Sequence, residues 1–325
     1  MLLANYISFV ISASIIGFFK IGKFKPDLIF VYEPSPISVG IPAIFLSKVM
    51  KAPIVFWVLD LWPDTLRAVG IIKSKILLRL TSYFVKFIYN NSEVILAHSR
   101  KFLPNIKKHT KTKVTYFPSW SEDNFNCNKI LIPGLPEKKL FRVIFAGNIG
   151  EAQDMPSILL AAQLLSKKIP IRFIIVGSGR KYKWLKKEIS NLGLNKFFIL
   201  LGQRPSHEVP GLIMNADVLL VTLGKDPIFK FTVPGKIQTY LKSSKPIVGM
   251  IDGEGADIIN DSKSGLSCSA GDVKGLVNII NSIYILNEKE RKRLGENGLK
   301  FYNKNFDKKF LLNKLVNIFT NIKSN

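Results

Sequence analysis

Apolar residues along the chain fall into two alternating patterns. Short, continuous apolar runs, typical of buried strands, are separated by longer segments in which apolar residues recur every three to four positions, as on one face of a helix. Strands are expected at residues 27–32, 53–59, 93–97, 113–117, 141–146, 171–176, 197–201, 218–222, 246–250 and 265–269. Helices are expected at residues 2–19, 36–50, 74–90, 155–166, 183–192, 209–215, 236–242, 273–284, 288–303 and 306–323. The alternation predicts an α/β protein with parallel sheets, and with ligands at the carboxyl ends of the strands.

A segment rich in proline, asparagine and serine at residues 118–138 is typical of an interdomain linker. We therefore expect an N-terminal lobe at residues 1–135 and a C-terminal lobe at 136–305. A final helix at 306–325 is expected to pack back on the N-terminal lobe. That lobe has four expected strands against six and begins on a helix, so we expect it to lack a first β-α-β portion.

The first helix is unusually apolar. Residues 2–19 contain only apolar, small and uncharged polar residues, and Lys20, Lys23 and Lys25 follow directly. At about 18 residues the segment is borderline for a membrane span. It has no basic residue before it and no small-residue cleavage site, so it does not match a signal peptide. A helix that is buried or lies in the membrane interface is favoured over a spanning helix, and both interpretations stay open.

The composition is strongly basic. The 325 residues include 47 Lys and Arg against 23 Asp and Glu, which gives a net charge of +24. Solvated helix faces are one interpretation of this excess, and attraction to an anionic membrane surface is the other; both stay open. The lysines are not interleaved with aromatic residues on one predicted surface, so nucleic acid is not an expected partner. The two cysteines, Cys127 and Cys268, have no metal or redox spacing, which favours reduced thiols in the cytoplasm.

Two turns carry features that suit a phosphate. The apolar run 141–146 leads into Gly147-Asn148-Ile149-Gly150, and Gln153 follows, where its amide could either contact a ligand or cap the helix. A strand, a glycine turn and a helix together direct free backbone N–H groups at an anion. About ninety residues later, Lys236 opens another helix, where a cation is unfavourable for the helix dipole and therefore indicates a functional role.

Other candidates follow other strands. Gly177-Ser-Gly179 ends the second strand of the C-terminal half, and Arg180 adds a guanidinium suited to phosphate oxygens. Asp60 and Glu254 also come just after strands, where carboxylates could bind sugar hydroxyls or accept a proton. The chain contains no zinc spacing, no Walker loop and no Ser/His/Asp arrangement, and it lacks the paired aspartates of metal-dependent transferases.

These segments, in this order, resemble bacterial glycosyltransferase family four, and within it the O-antigen and capsule subgroup that includes fucosamine transferases. The matching stretches are Asp60-Leu-Trp-Pro63, Gly147-Asn-Ile-Gly150 with Gln153, Gly177-Ser-Gly-Arg180, Phe229 with Pro234-Gly-Lys236-Ile-Gln238, and Gly253-Glu-Gly-Ala256. Each stretch is a weak signal alone, but together they cover nearly the whole chain.

The resemblance implies a GT-B fold with two Rossmann-type, doubly wound lobes, the first acceptor-side and the second nucleotide-sugar-binding. It implies retaining transfer from a nucleotide diphosphate sugar, a UDP-linked N-acetylated deoxyhexosamine, without a metal or other cofactor. The acceptor would be a lipid-diphosphate-linked glycan of O-antigen or capsule synthesis. The protein would then be cytoplasmic and peripheral on the inner face of the plasma membrane.

The resemblance also assigns residues. It implies diphosphate contacts from Gly147–Gly150, Arg180 and Lys236, base and ribose contacts near Gly177–Gly179 and Gln203, and donor-sugar contacts from Glu254. The expected catalytic residues are Lys236, Arg180 and Asp60. The expected nucleotide-sugar-binding residues are Gly147, Asn148, Gly150, Gln153, Gly177, Gly179, Gln203, Gln238 and Glu254.

Two alternatives to a transferase stay open. The family carries two glutamates eight residues apart, and Phe231 and Thr239 stand at those positions here. A nucleotide-sugar-binding or scaffolding protein that has lost catalysis is therefore the main alternative. A nucleotide-sugar epimerase with a similar two-lobed fold is the other.

Overall fold

A computed structural model describes residues 2–21, 24–68, 70–121, 128, 130–134 and 140–323. The chain divides into two compact units. The first unit comprises Met1–Pro118 together with Lys309–Asn325, and the second comprises Ser119–Lys308. The chain therefore leaves the first unit once and returns to it at its C-terminal end.

The first unit is built on a parallel sheet of four strands in the order β1-β2-β3-β4. The strands are β1 (Ile29–Glu33), β2 (Ile54–Val58), β3 (Val94–Ala97) and β4 (Lys113–Tyr116). The helices up to the end of this sheet are α1 (Leu2–Ile21), α2 (Gly40–Met50), α3 (Asp64–Ala68), α4 (Lys75–Asn90) and α5 (Phe102–Lys107). Every residue of β2 is buried, as continuous apolar strands require when both faces of a sheet are covered.

The second unit is built on a parallel sheet of six strands in the order β10-β9-β8-β5-β6-β7. The strands are β5 (Phe141–Ala146), β6 (Ile171–Val176), β7 (Phe198–Gly202), β8 (Val218–Thr222), β9 (Ile247–Met250) and β10 (Gly265–Cys268). The helices are α6 (Met155–Leu165), α7 (Tyr182–Asn191), α8 (Val209–Ile213), α9 (Lys236–Lys242), α10 (Glu254–Asp261), α11 (Val273–Ile285) and α12 (Glu288–Asn305).

Each face of the second sheet has its own core, because successive side chains of a strand point to opposite faces. On β5, Val143 and Phe145 join one hydrophobic cluster with residues of α6 and α11. Ile144 and Ala146 join the other cluster, which includes residues of α8, α9 and α10. Both faces are therefore covered by helices, as in doubly wound sheets.

The last helix, α13 (Lys308–Lys323), packs on the first sheet. The rings of Phe319 and Phe30 lie 5.4 Å apart, and Lys314 Nζ donates a hydrogen bond to the carbonyl oxygen of Tyr116 at 3.1 Å. Phe30 also contacts Trp57 of β2, on the face opposite Phe56, which packs against Tyr89 of α4. The first sheet is therefore covered by α4 on one face and by α13 on the other.

The ten expected strands are all present in the described part of the chain, with ends within two residues of those expected. Three helices that the pattern did not predict, α3, α5 and α10, are short, with five, six and eight residues. Short helices carry few apolar repeats, and α10 begins with glutamate and glycine, which weaken a periodic signal.

The predicted linker is wrong in part. Residues 122–127, 129 and 135–139 lie outside the described residues, but those between them pack on the second unit. The Ile130 amide donates to the Gly211 carbonyl oxygen at 3.0 Å, Asn215 Nδ2 donates to the Ile130 carbonyl oxygen at 2.8 Å, and Ile132 is buried. This part of the segment therefore belongs to the core around α8.

Helix α1 is long and apolar enough to cross a membrane, by its length and composition. None of the span Ala4–Ile21 is buried within the chain, although the ring of Phe18 lies 6.3 Å from that of Phe45 on α2. The apolar side chains of α1 are therefore not buried among other parts of the chain, which was one of the interpretations left open.

Candidate functional site

The strand order of the second sheet places two loops side by side. The chain runs from β5 outward through β6 and β7, then crosses back to β8 on the other side of β5. Connections that leave adjacent parallel strands in opposite directions open a crevice at the carboxyl ends of those strands. The turn at Gly147 follows β5, and the loop that follows β8 leads to Lys236, so both border this crevice.

The turns after β5 and β6 are joined by backbone hydrogen bonds. The Gly147 amide donates to the Val176 carbonyl oxygen at 2.9 Å, and the Ile149 amide donates to the Ser178 carbonyl oxygen at 2.8 Å. Gly177 has a φ of 136°, and a Cβ atom there would collide with the carbonyl oxygen of Gly147. Only glycine allows the two turns to approach this closely.

Lys236 is the first residue of α9, and its side chain extends to the Gly147 turn. A Cβ atom built on Gly147 would lie 3.1 Å from Lys236 Nζ, and Nζ lies 3.6 Å from the ring centroid of Phe145. The residue as a whole is half-buried, but Nζ itself is buried and has no hydrogen-bond partner among the described residues. Burial lowers the pKa of this amine from 10.5 to about 7. An anion in the turn would supply the partner that Nζ lacks.

Tyr240, one helical turn after Lys236, fixes α9 against β5. Its hydroxyl accepts a hydrogen bond from the Ala146 amide at 2.7 Å and lies 3.3 Å from the Ala146 carbonyl oxygen. Ala146 immediately precedes Gly147, so this contact keeps Lys236 next to the turn. Tyr240 was not predicted as a site residue, because a tyrosine in an apolar helix face is ordinarily a core residue.

The polar side chains of the turns differ in their hydrogen bonds and in their exposure. Gln153 Oε1 accepts a hydrogen bond from the Gly150 amide at 3.0 Å, so this oxygen caps the short 3-10 helix Glu151–Gln153. Asn148 is exposed beside it. Ser178 donates to Gln203 Oε1 at 3.2 Å, which links the turn after β6 to the end of β7.

Arg180 lies just after Gly179 in the turn before α7, and its side chain is exposed. The next residue, Lys181, pairs instead with Glu151 at 2.9 Å. Lys181, Glu151 and Gly150 line a cavity of about 320 Å³ that also includes Lys225 of the loop after β8. Lys181 and Lys225 were not among the predicted site residues.

Two expected residues lie in the interior of the second unit. Gln238 is 1% exposed, and in the orientation that suits its surroundings its amide donates to the carbonyl oxygens of Pro234 and Gly235, at 3.3 and 3.1 Å. The structure therefore does not bring Gln238 to the surface of the turn. Glu254, the first residue of α10, is 4% exposed and follows Gly253, which packs against the carbonyl oxygen of Lys230.

Asp60 lies in the first unit, directly after β2, and is half-buried. Its Oδ2 accepts a hydrogen bond from Trp62 Nε1 at 3.2 Å, and its amide nitrogen lies 3.5 Å from Glu33 Oε2. Glu33 was missed, because the apolar pattern ends the first strand at Tyr32. An acidic residue at the end of an apolar run is the signal that could have found it.

Among the described residues, no group of three or more His, Cys, Asp and Glu side chains is arranged to hold a metal ion. In the part of the chain that the structure describes, the cations near the turns include those of Lys236 and Arg180, and those of Lys181 and Lys225 line the adjoining cavity. These cations form a site suited to a polyanion. The N–H groups of Gly147, Ile149 and Gly150, expected to contact a diphosphate, already donate to acceptors within the chain.

Comparison with known proteins gives consistent relatives. The family described as "Glycosyl transferases group 1" matches residues 130–301, more than half of the chain. An uncharacterized glycosyltransferase of Methanocaldococcus jannaschii is 25% identical over 241 residues, which are 72% of this chain and 60% of the relative's length.

Solved structures share the fold at low identity. Anabaena HepE in complex with UDP and glucose has a TM-score of 0.74 and 16% identity, covering 97% of this chain and 80% of HepE. Sucrose-phosphate synthase from Thermosynechococcus elongatus has a TM-score of 0.74 and 14% identity, covering 96% of this chain and 77% of the synthase. The lipopolysaccharide outer core galactosyltransferase WaaB has a TM-score of 0.63 and 14% identity, covering 96% of this chain and 80% of WaaB.

The expected α/β fold of GT-B type is confirmed by these structures and by the two parallel sheets. The region that the family description matches contains the Gly147 turn, Arg180 and Lys236. By sequence over more than half of its length, this chain belongs to the family of group 1 glycosyl transferases.

Proposed function

We propose that the protein transfers a sugar from a nucleotide diphosphate donor to a glycan acceptor. The observation that carries this proposal is the buried Nζ of Lys236, which lies against the Gly147 turn without a hydrogen-bond partner among the described residues. A buried ammonium without a partner is costly, and a diphosphate in the turn would remove that cost.

The same geometry suits the chemistry of the transfer. When the bond from the sugar to the diphosphate breaks, negative charge grows on the departing diphosphate. A fixed ammonium and a guanidinium stabilise that charge more strongly than the charge of the intact donor, and this difference lowers the barrier. Lys236 would act from within the turn and Arg180 from its exposed edge.

The nucleotide part of the donor would lie over the turn after β6. The exposed Gln203 and its hydrogen-bond partner Ser178 are available there for base or ribose contacts. UDP is the nucleotide we propose, because HepE was solved with UDP and shares this fold. An N-acetylated deoxyhexosamine as the sugar, and retention of its configuration, rest on the sequence resemblance alone.

The acceptor we propose is a lipid-diphosphate-linked glycan of O-antigen or capsule synthesis, and α4 supports a membrane location. Four of its exposed apolar residues follow helical spacing, so they form one stripe, opposite the face that is buried against the first sheet. The stripe consists of Ile76, Leu80, Tyr83 and Phe87. Three exposed cations, those of Lys75, Arg79 and Lys86, lie along one edge of it.

An amphipathic helix with apolar and cationic residues of this kind binds the interface of an anionic bilayer. We therefore propose that the first unit rests on the cytoplasmic face of the plasma membrane through α4, with α1 in or across the interface. There a lipid-linked acceptor would be within reach of the first unit, where Asp60 could bind its hydroxyls.

The donor site is tested by thermal shift with UDP-, GDP- and dTDP-sugars. We expect UDP-sugars to raise the melting temperature of the wild type, since a ligand that binds only the folded state stabilises it. Lys236→Met, which keeps the length of the side chain but removes the charge, should lose most of this shift. Lys187→Met, at an exposed lysine of α7, is the matched control and should keep it.

A second arm measures transfer itself, as UDP released in the presence of a short-chain polyprenyl-diphosphate-linked sugar. UDP binding without any UDP release would favour the scaffolding protein over the transferase. An equal thermal shift in Lys236→Met and the wild type would remove Lys236 from the donor site.

A further inference from the structure

A second polar cluster lies at the carboxyl edge of the first sheet and has no part in the donor site. Glu33 is the last residue of β1, pairs in register with Val58 of β2, and its side chain is fully buried. The Leu59 amide donates to the Glu33 carbonyl oxygen at 3.1 Å, and the Asp60 amide lies 3.5 Å from Glu33 Oε2. The Glu33 carboxyl group therefore contacts the backbone that carries Asp60, where β1 and β2 end.

The two carboxyl groups lie at different depths. Asp60 is half-buried, and its Oδ2 accepts a hydrogen bond from Trp62 Nε1, which also lies 3.3 Å from the hydroxyl of the exposed Ser35. Glu33 Oε1 is buried and has no hydrogen-bond partner among the described residues. The cluster thus has an accessible layer around Asp60 and an interior layer at Glu33.

Among the described residues, no Lys or Arg side chain is one of the groups that act on Glu33. Burial raises the pKa of Glu33 well above its ordinary value, and the charge of Asp60 raises it further; hydrogen bonds from the Asp60 and Leu59 amides only partly oppose this. Tyr89 of α4 is another titratable group there: its hydroxyl is buried without a hydrogen-bond partner among the described residues, and burial and the charges of Glu33 and Asp60 raise its pKa. The buried His98 lies at the same edge, where its amide donates to the Val58 carbonyl oxygen at 3.1 Å. Burial favours the neutral form of both Glu33 and Tyr89.

We propose that Glu33, in its protonated form, is a positioning residue for Asp60, and that Asp60 is the carboxylate that binds an acceptor sugar hydroxyl. This inference rests on the proposed transferase function. The neutral acid lies beneath the Asp60 backbone without adding a second negative charge. Ionised Glu33 would repel the Asp60 carboxylate and displace the segment that carries it.

The neutral state of Glu33 is tested without any substrate. The infrared difference spectrum between the wild type and Glu33→Gln, at about pH 7, should contain the carbonyl stretch of a neutral carboxyl group. Glu93→Gln, at an exposed glutamate in the same unit, is the control and should give carboxylate bands instead. Carboxylate bands alone from Glu33 would overturn the inference.

The positioning role is tested by the pH profile of transfer. The assay measures UDP released from UDP-N-acetylglucosamine with a short-chain polyprenyl-diphosphate-linked N-acetylglucosamine as acceptor. Glutamine keeps the shape of the neutral acid but cannot ionise, so Glu33→Gln should stay within about threefold of the wild-type rate near pH 7. It should also keep its rate at high pH, where the wild-type rate falls as Glu33 loses its proton.

Asp60→Asn should reduce the rate by at least about tenfold at every pH, since it removes the carboxylate itself. Two outcomes would overturn the positioning role. In the first, the rate of Glu33→Gln declines at high pH as the wild-type rate does. In the second, Glu33→Gln loses activity at all pH values while its fold stays intact. No UDP release from the wild type would overturn the proposed function and this inference with it. The infrared measurement needs no substrate, so it shows whether Glu33 is neutral even when the wild type releases no UDP.

Discussion

The ammonium group of Lys236 is buried between the ring of Phe145 and the Gly147 turn. Removing a cation from water costs free energy that a single aromatic ring does not restore, so an apolar side chain would serve stability better here. The sequence placed this lysine correctly at the start of a helix, because proline and glycine before it mark the boundary. Its burial depends on contact with β5, about ninety residues earlier, which no local pattern contains.

The lowered pKa of Lys236 predicts how stability changes with pH. Between about pH 7 and pH 10.5 the folded protein binds fewer protons at this site than the unfolded chain, so the contribution of Lys236 to the free energy of unfolding rises with pH. Lys236→Met lacks this contribution. Without ligand, the variant should therefore be more stable than the wild type, with the difference largest below about pH 7 and decreasing toward pH 10.5.

Urea unfolding of both proteins at about pH 6.5 and about pH 9 measures this difference. Lys187→Met provides the control, since its lysine is exposed and its substitution should leave the pH dependence unchanged. A difference between Lys236→Met and the wild type that did not vary with pH would mean that the amine is solvated.

At the scale of elements, α9 and the end of β5 are joined by the Tyr240 hydroxyl. Apolar periodicity predicted both elements with their observed bounds, Phe141–Ala146 and Lys236–Lys242, because each has a clear boundary in glycine or proline. Periodicity could not predict which strands become neighbours. The adjacency of β5 and β8, which brings Lys236 to the turn, is a property of the crossover after β7.

Tyr240→Phe should lower the free energy of unfolding by about 1–3 kcal/mol, because it leaves the buried Ala146 amide without its hydrogen-bond partner. It should also weaken UDP binding by less than Lys236→Met does, since it loosens the turn without removing the charge. Urea unfolding and UDP titration measure the two effects. Tyr284→Phe is the control, because the Tyr284 hydroxyl makes no hydrogen bond to the described residues. It should change neither the free energy of unfolding nor UDP binding. Equal losses in both variants would show that the Ala146 contact has no special role.

At the scale of the molecule, the sequence predicted two α/β units and a basic, membrane-directed surface. Composition and hydropathy identified α1 as exceptional, but the stripe on α4 was not recognised, since its apolar positions fit a buried face equally well. Only the structure shows that Val85, Ile88 and Tyr89 bury the opposite face and leave the stripe exposed.

The double variant Leu80→Gln/Phe87→Gln should reduce binding to vesicles that contain about one third anionic lipid by roughly tenfold or more, because burying one such side chain contributes about 1.5–3 kcal/mol. Cosedimentation at low and high salt measures this effect. Ile285→Gln, at a single exposed isoleucine of the second unit that is 72% exposed, is the control. Equal binding by both variants would assign membrane attachment to another surface, with α1 the first to test.

The return of α13 to the first sheet means that the C-terminal residues support the N-terminal half of the protein. Shortening the chain before Lys314 would remove Phe319, which packs on Phe30, and the lysine that donates to the Tyr116 carbonyl oxygen. Damage from such a deletion would therefore appear first around β1 and β4, while the second unit would keep its own core.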